Sequence, residues 1–254
     1  MRDFADRVVL ITGGAQGIGL AYVKAFADSG AKVVVADLMD PSSAVEEVTA
    51  SGGVAVGTQI DVTKASDAHR AVQCALDSFG RLDVLVNNAA YYGGLSFSAF
   101  DEIPEEDWDR SMNVNLKGVW LMCGAAAAPM RAQGYGRIIN IASNVVFMGK
   151  PNFLHYVASK GAVWALTNGM SREFAGTGVT VNCVAPGYTT TTATRSMGTP
   201  EQVQELEERI LEAQSVKRLL DATDMVGAVQ YLASEGAAMV TGQTIIVDGG
   251  VIVG

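Results

Sequence analysis

The stretch VVLITGGAQGIG, which runs from Val8 to Gly19, decides the fold class of this 254-residue chain. It starts as a short β-branched run of strand length and then carries Gly13, Gly17 and Gly19 into a helical pattern. Glycines let a backbone turn sharply and approach a phosphate group, whose charge the N-terminus of a helix favours. A tight turn without a ligand would also explain the spacing, which departs from the commoner G-x-G-x-x-G pattern. Its position after the first strand favours a dinucleotide site.

More runs of this kind follow along the chain, each separated from the next by a stretch long enough for a helix. With the first run at 8–11, the predicted strands are 32–35, 54–56, 84–86, 138–141, 180–184 and 244–247. Strands that are apolar on both faces and joined by crossovers indicate a parallel sheet with helices on both faces. The sequence therefore predicts an α/β fold with a doubly wound seven-stranded parallel sheet. In such a sheet, ligands bind at the carboxyl ends of the strands.

Length and composition favour a single domain over residues 1–254. One segment departs from the alternation of strands and helices. It contains a threonine-rich stretch from Thr189 to Thr194 and an acidic run from Glu201 to Glu212. We expect this segment, at about residues 188–215, to form a lid over the substrate.

The charge and the cysteines exclude several classes of protein. A formal net charge of −9 argues against a nucleic-acid or anionic-membrane surface, because phosphate polymers would be repelled. Cys74, Cys123 and Cys183 are odd in number and far apart, so they suggest neither a disulfide framework nor a metal site. No signal-peptide stretch is expected before the first strand, and the apolar run from Gly118 to Met130 is too short to cross a bilayer. We expect that run to be a buried helix, and the protein to be cytoplasmic with small-molecule partners.

Asp37 follows the second predicted strand and bears on the choice of cofactor. An acidic side chain there can accept hydrogen bonds from the ribose hydroxyls of an adenosine and would repel a 2′-phosphate. A helix cap before Pro41 is the alternative interpretation. No Arg or Lys stands in the glycine loop or directly after Asp37 to neutralise a 2′-phosphate. The sequence therefore favours NAD over NADP.

Tyr156 and Lys160 are four residues apart in a predicted helix from Leu154 to Phe174, so they share one face. A phenol with a pKa of about 10 is a poor base at neutral pH, but an adjacent ammonium and a positive nicotinamide would both favour the phenolate. Ser143 follows the fifth strand, where its hydroxyl could hydrogen-bond a substrate oxygen. Taken alone, the Tyr-x-x-x-Lys spacing is also typical of a half-exposed helix face.

The histidines argue against a serine nucleophile at Ser143. Such a nucleophile would need a histidine base, and the two histidines are His69, predicted on a surface helix, and His155, beside Tyr156. We interpret His155 as pocket lining and Ser143 as a group that polarises a substrate oxygen.

A set of motifs spread over nearly the whole chain resembles the short-chain dehydrogenase/reductase family. The set comprises the glycine loop, Asn87-Asn88-Ala89, Asn115, Ser143, Tyr156-x-x-x-Lys160, Pro186-Gly187, Thr241-Gly242-Gln243-Thr244 and Val247-Asp248-Gly249-Gly250. The resemblance implies a Rossmann fold, an NAD(P)-dependent oxidoreductase and a catalytic tetrad of Asn115, Ser143, Tyr156 and Lys160. It also implies that Lys160 binds the nicotinamide ribose, that the Asn115 backbone holds a water in a proton relay, and that the chain forms a homotetramer.

The resemblance further implies a set of cofactor contacts along one edge of the sheet. They are Gly13, Gln16, Gly17, Ile18, Gly19, Asp37, Leu38, Asp61, Val62, Asn88, Ala89, Ala90, Tyr156, Lys160, Pro186, Gly187, Thr189 and Thr191. Ala90 departs from the Asn-Asn-Ala-Gly motif of the family, so the backbone there must accommodate a methyl group.

Mostly aromatic residues are expected around the pocket mouth, where they could enclose an aromatic or cyclic substrate. Ordinary hydrophobic packing is the alternative. The residues are Tyr91, Tyr92, Val145, Phe147, Phe153, His155 and Tyr188. Direct substrate contacts are expected from Ser143, Val145, Phe153, Tyr156 and Tyr188.

Three functions compete at this point. The leading hypothesis is reversible, NAD-dependent oxidation of a secondary alcohol to a ketone. The second is reduction of a 3-oxoacyl-(acyl-carrier-protein), with Arg131 and Arg172 as a docking patch, although Asp37 and the acidic surface disfavour it. The third is an NAD-sensing binding protein without turnover, which the complete tetrad disfavours.

Overall fold

The structure is a computed structural model that describes residues 4–95 and 97–253. Within these residues, one parallel sheet of seven strands has the order β3-β2-β1-β4-β5-β6-β7. The strands are β1 (Val8–Thr12), β2 (Lys32–Asp37), β3 (Val54–Gln59), β4 (Val84–Asn87), β5 (Gly136–Ile141), β6 (Val179–Pro186) and β7 (Thr244–Val247). This confirms the predicted fold class, and each strand contains the run that predicted it.

Helices cover both faces of the sheet. They are α1 (Gly17–Asp28), α2 (Ser42–Ala50), α3 (Ala65–Phe79), α4 (Glu105–Met112), α5 (Gly118–Gln133), α6 (Val145–Met148), α7 (Leu154–Glu173), α8 (Thr192–Arg195), α9 (Pro200–Ala213) and α10 (Val226–Ala233). The apolar sides of α3, α5 and α7 form the core on one face, and those of α1, α2 and α10 form the core on the other. Burial of both sheet faces explains why the central strands β1, β2 and β4 are apolar at most positions.

The strand order reverses beside β1, and this reversal places the site. From β1 the chain moves outward through β2 and β3, and it then returns to the other side of β1 with β4. The loops that follow β1 and β4 therefore diverge and leave a crevice at the carboxyl edge of the sheet. Asn88, after β4, joins the two loops at the base of this crevice. Its side chain donates hydrogen bonds of 3.0 Å to the carbonyl oxygens of Thr12 and Gly13.

One helix differs from its prediction. The run from Gly118 to Met130, which was expected to be a buried helix, lies in α5. Only one side of that helix is buried. On the other side, the Trp120 side chain is 56% exposed and Gly124 has open space beside it. Among the described residues, no helix is long and apolar enough to cross a membrane. The expected cytoplasmic location stays a prediction, and the residues from Met1 to Asp3, on which the expected lack of a signal peptide partly rests, lie outside the described residues.

Candidate active site

A cavity of about 820 Å³ opens at the carboxyl edge of the sheet and runs from Asp37 past Tyr156. Every cofactor contact and every direct substrate contact that the sequence predicted lines this one cavity. Asn115, the remaining member of the predicted tetrad, is fully buried behind the wall. The structure thus brings together residues that are spread over most of the sequence.

The glycine loop leaves room for a phosphate group at the start of α1. Gly19 is required because a Cβ there would lie 1.9 Å from the carbonyl oxygen of Gly13. Gly17 has a positive φ of 56°, and a Cβ there would meet no atom within 4 Å, so the space beside it belongs to the cavity. Gln16 precedes α1 without capping it through its side chain. The first amides of α1 therefore offer the hydrogen-bond donors and the positive dipole end that a pyrophosphate requires.

Asp37 ends β2 at the opposite end of the cavity from Tyr156, and its carboxylate is held rigidly. One oxygen accepts a hydrogen bond of 2.9 Å from the Ala15 amide, and the other accepts one of 2.9 Å from the Met39 amide. Asp37 is therefore not the cap of α2, whose N-cap residue is Pro41. Each carboxylate oxygen keeps a lone pair for a further donor, such as a ribose hydroxyl.

Ala90, the position that departs from the family motif, lines the cavity without backbone strain. Its φ is not positive, since the only non-glycine residues with positive φ among those described are Asp6 and Asn152. The side chain is exposed, so its methyl group occupies space at the cavity wall. The substitution for glycine is therefore accommodated locally.

Ser143, Tyr156 and Lys160 converge from two elements. The loop after β5 carries Ser143, and it is fixed to β6 by the hydrogen bond of 2.9 Å from the Asn144 amide to the Pro186 carbonyl oxygen. Tyr156 and Lys160 are one turn apart on α7 and both line the cavity. The Lys160 Nζ lies 5.8 Å from the centroid of the Tyr156 ring. This arrangement places one hydroxyl, one phenol and one ammonium around a common space.

Burial dominates the electrostatics of these groups. It raises the pKa of Tyr156 above its ordinary value, the neighbouring Tyr92 raises it further, and a hydrogen bond with Ser143 opposes the shift. Burial also lowers the pKa of Lys160 to about 8. From the four-residue spacing, the Lys160 ammonium is expected to favour the phenolate. Within the protein chain, however, desolvation of the Tyr156 oxygen is the larger effect.

The Asn115 side chain holds the loop after β4 in place. It lies in a π-helical turn, Asn113–Lys117, that joins α4 to α5. Its side-chain oxygen accepts a hydrogen bond of 2.7 Å from the Tyr91 amide, and its nitrogen donates to the Tyr91 carbonyl and to the Ser159 hydroxyl. The side chain is thus fully engaged in holding Tyr91 and Ser159. The expected role of the Asn115 backbone in a proton relay stays a prediction. A π turn leaves helix carbonyls without their usual partners and is frequent at functional sites.

The segment after β6 forms the roof of the cavity. Thr189 pairs with Leu220 in an isolated parallel bridge, and Thr191 caps α8 in a capping box with Thr194. The Tyr188 hydroxyl donates a hydrogen bond of 3.3 Å to Glu207 on α9. Further lining comes from α8 and α9 through Thr192, Ala193, Thr194, Leu206, Arg209, Ile210 and Ala213. The roof therefore coincides with the segment that was expected to form a lid.

Comparison with known proteins identifies the family. A family model described as Enoyl-(Acyl carrier protein) reductase matches residues 13–252. A 3-oxoacyl-[acyl-carrier-protein] reductase of Synechocystis sp. is 37% identical over 256 residues, which cover 99% of each chain. Dehydrogenase/reductase SDR family member 4 of Homo sapiens is 34% identical over 248 residues, or 97% of this chain and 87% of that one. The crystal structure of Levodione Reductase superposes with a TM-score of 0.90 at 30% identity, covering 97% of this chain and 98% of the other.

The chain belongs to the short-chain dehydrogenase/reductase family. It is accordingly an NAD(P)-dependent oxidoreductase that acts on an alcohol or a ketone.

Two residues expected at the pocket mouth of this dehydrogenase/reductase lie elsewhere. His155 is fully buried and does not line the cavity, because adjacent residues on a helix point about 100° apart and Tyr156 takes the inward position. Its ring packs edge-on against Phe153 at 5.4 Å, and burial lowers its pKa. Phe147 is exposed and packs against Trp164 on the outer surface. Both predictions were wrong.

The expected docking patch for an acyl carrier also lies away from the site. Arg131 and Arg172 are exposed near the C-terminal ends of α5 and α7. Tyr156 is in the first turn of α7, about 24 Å from Arg172 along the helix axis. Neither arginine lines the cavity.

The structure also adds lining residues that sequence reasoning missed. Lys150 lines the cavity from the turn between α6 and α7. Asp248, after β7, lines it too, accepts hydrogen bonds from the Gly250, Val251 and Ile252 amides, and binds the Asn144 side chain at 3.2 Å. Asp248 stands in a motif that the sequence analysis had noted. No motif marked Lys150.

Proposed function

We propose that this enzyme catalyses the reversible oxidation of a secondary alcohol to a ketone with NAD⁺, and that Tyr156 is its acid/base. The observation that carries the proposal is the convergence of Ser143, Tyr156 and Lys160 on the wall of one cavity whose far end is closed by Asp37. Bound NAD⁺ supplies the hydride acceptor and a positive ring charge near the site.

The chain's own residues account for the proton and for the position of the oxygen. Ser143 donates a hydrogen bond to the substrate oxygen, and Tyr156 takes its proton in oxidation and returns it in reduction. Lys160 brings a positive charge beside the phenol, which favours the phenolate when the proton leaves. The apolar walls lower the polarity around these groups, so each of these interactions is stronger than it would be in solution.

The position of Asp37 supports NAD rather than NADP as the cofactor. Its carboxylate is buried and fixed by two backbone amides, so it cannot move away from a 2′-phosphate. Asp61 is the other charged residue that lines this end of the cavity, and it also carries a carboxylate. Because like charges repel strongly where water is scarce, a 2′-phosphate would be disfavoured there.

The walls around Tyr156 support a cyclic or aromatic substrate. The Tyr92 ring packs edge-on against the Tyr156 ring at 5.1 Å, and the Phe153 ring lies 4.9 Å from it at 33°. Val145 and Tyr188 complete an apolar chamber next to Ser143. Flat rings of this kind enclose a flat or cyclic substrate more closely than an extended chain.

A substrate screen tests the proposal. Purified protein is mixed with NAD⁺ or NADP⁺ and with secondary alcohols, cyclic polyols or β-hydroxyacyl thioesters, and formation of the reduced cofactor is followed by absorbance. We expect turnover with NAD⁺ and a cyclic or aromatic secondary alcohol. Turnover of a carrier-bound β-hydroxyacyl thioester alone would identify an acyl-carrier-protein reductase instead. NAD⁺ binding without any turnover would identify the sensing protein.

We further propose that the chain forms a homotetramer through the exposed sides of α5 and α7. Large apolar side chains are exposed on or beside these helices, including Trp120, Phe147 and Trp164. Gly124 and Gly169 leave open space on the same helices, where a second helix could approach closely. Light scattering is expected to give four times the chain mass, and a monomeric mass would contradict the proposal.

We also infer that residues 188–215 close over the bound substrate as a lid. The support is that this segment lines the cavity through α8 and α9 while its helices contribute no fully buried residue. Hydrogen exchange of these amides is expected to slow when NAD⁺ is added. Unchanged exchange at this segment, with NAD⁺ bound, would contradict the inference.

A further inference from the structure

Lys150 is a cation at the substrate end of the cavity that the proposed reaction does not use. It is half-buried and lines the cavity together with Phe153 and Tyr156. Its Nζ lies 5.3 Å from the centroid of the Phe153 ring and 5.0 Å from that of the Phe97 ring. The Phe153 ring in turn lies 4.9 Å from the Tyr156 ring. The ammonium and the acid/base therefore contact the same aromatic ring.

Among the described residues, no carboxylate pairs with this ammonium. Within residues 4–95 and 97–253, the ion pairs involve other lysines and arginines, and Lys150 donates no hydrogen bond. The side chain is partly withdrawn from water, and this burial lowers the pKa of Lys150. A half-buried lysine without a counter-ion is unusual, because surface lysines normally keep the charge in water.

The other acidic groups of the cavity cannot serve as the missing partner. Asp37 and Asp61 lie at the adenosine end. Asp248 is buried, and its carboxylate already accepts hydrogen bonds from three backbone amides and from Asn144. The other cations of the cavity are Lys160, which the proposed reaction uses, and Arg209, which is exposed and pairs with Glu205. Lys150 is therefore the cation at the substrate end that no neighbouring carboxylate of the described residues compensates.

The turn that holds Lys150 is fixed by its backbone. Gly149 and Asn152, on either side, both have positive φ values, 65° and 60°. The Asn152 carbonyl oxygen accepts a hydrogen bond of 3.0 Å from the Ser98 amide, which joins the turn to the segment that carries Phe97. A positive φ is uncommon outside glycine and persists where surrounding contacts hold it. The turn therefore keeps the lysine stem on the two phenylalanine rings.

We propose that the substrate is a cyclic or aromatic hydroxy or keto compound that carries an anionic group, a carboxylate or a phosphate, which Lys150 binds. The inference rests on the proposed function for the alcohol or ketone end of the substrate, and it assigns an anionic group to the opposite end. Phe153 is buried between the two ends. The ring of the substrate therefore lies in the apolar chamber beside it, while Lys150 binds the charge and Ser143 and Tyr156 bind the reacting oxygen.

A binding experiment that needs no turnover tests the anion site. Benzoate and benzamide have nearly the same shape but differ in charge, and phenyl phosphate separates a phosphate site from a carboxylate site. Their binding to the NAD⁺-loaded protein is measured by titration calorimetry for wild type, Lys150→Met and Lys150→Arg. We expect wild type to bind benzoate or phenyl phosphate about tenfold or more tightly than benzamide, as for a charge-assisted hydrogen bond. We expect Lys150→Met to abolish the preference, and Lys150→Arg to retain most of it.

Lys32→Met is the matched control, because Lys32 is also partly exposed but lies at the opposite edge of the sheet. It should keep the preference of wild type. A second arm compares kcat/KM for 3-hydroxycyclohexane carboxylate and its neutral carboxamide, and the ratio should fall tenfold or more in Lys150→Met.

These experiments can refute the proposed oxidation reaction and the proposed anion site independently of each other. If the anion preference depends on Lys150 but no alcohol is oxidised, the anion site stands and the proposed reaction fails. If neutral alcohols are oxidised as well as anionic ones and Lys150→Met changes no ratio, the reaction stands and the anion site is refuted. A Lys150 effect seen only with a carrier-bound thioester would overturn the proposal in favour of an acidic carrier protein.

Discussion

The Nζ of Lys160 donates a hydrogen bond of 2.8 Å to the carbonyl oxygen of Ile141, the last residue of β5. This contact joins α7 to the sheet two residues before Ser143. Tyr156 is one helical turn before Lys160, so the same contact fixes the distance between the phenol and the serine hydroxyl. Lys160 is therefore a positioning residue as well as a charge.

Replacing Lys160 by methionine should separate stability from activity. The buried ammonium has a pKa of about 8 in the folded chain against 10.5 for an ordinary lysine. Above pH 8 the unfolded chain therefore binds more protons than the folded one, so the wild-type free energy of unfolding rises with pH. Relative to Lys160→Met, this rise should be about 2 to 3 kcal/mol between pH 7 and pH 10. Tyr156 is present in both chains, so its contribution cancels.

Denaturant unfolding of both proteins across this pH range measures the difference. Lys160→Met should be at least as stable as wild type at pH 7 while its kcat falls a hundredfold or more. Parallel stability curves for the two proteins would show that Lys160 does not carry a depressed pKa.

Replacing Asp37 by serine should weaken the discrimination between the two cofactors. The serine removes the charge that repels a 2′-phosphate and the acceptor for the ribose hydroxyls. We expect kcat/KM for NAD⁺ to fall about tenfold or more and the preference over NADP⁺ to narrow by a similar factor. Asp40→Ser is the control, because Asp40 follows on the same loop but is exposed. Faster wild-type turnover with NADP⁺ than with NAD⁺ would refute the role of Asp37.

Replacing Asn115 by alanine should loosen the aromatic wall. The substitution removes the side-chain partner of the partly buried amide and carbonyl of Tyr91, and it removes the donor to the buried Ser159 hydroxyl. A buried unsatisfied group costs about 1 to 3 kcal/mol, so Tm should fall by several degrees at equal protein concentration. KM should rise because Tyr91 and Tyr92 line the cavity. In the same π turn, exposed Asn113→Ala should change neither quantity, and a Tm loss equal for both variants would contradict the account.

The sheet and most of the cavity could be predicted from the sequence because they depend on local patterns. A buried parallel strand is apolar on both faces, so each run of the Val8–Ile11 kind marks a strand directly. The carboxyl ends of parallel strands meet at one edge, and this fixes the approximate place of Asp37, Ser143 and Asn88 before any contact is known. The helix from Leu154 then places Tyr156 and Lys160 on one face.

The remaining features depend on contacts between distant segments. Lys150 stands in no motif, and its place in the cavity follows from two positive φ values and from a Phe97 side chain supplied by another loop. His155 was misplaced because sequence neighbours on a helix face different sides, and only packing against Phe153 shows which one faces inward. The raised pKa of Tyr156 follows from burial, which the spacing of Tyr156 and Lys160 does not report.

The most direct test of Tyr156 as the acid/base is the rate of NAD⁺ reduction by wild type and by Tyr156→Phe, measured side by side with the best alcohol of the screen. Phenylalanine keeps the ring that packs on Tyr92 and Phe153 and removes only the hydroxyl. Tyr135→Phe, at the opposite edge of the sheet, controls for the loss of a phenol elsewhere. We predict that Tyr156→Phe still binds NAD⁺ and loses about a hundredfold or more in kcat, whereas Tyr135→Phe keeps the wild-type rate. A near-normal rate for Tyr156→Phe would contradict it.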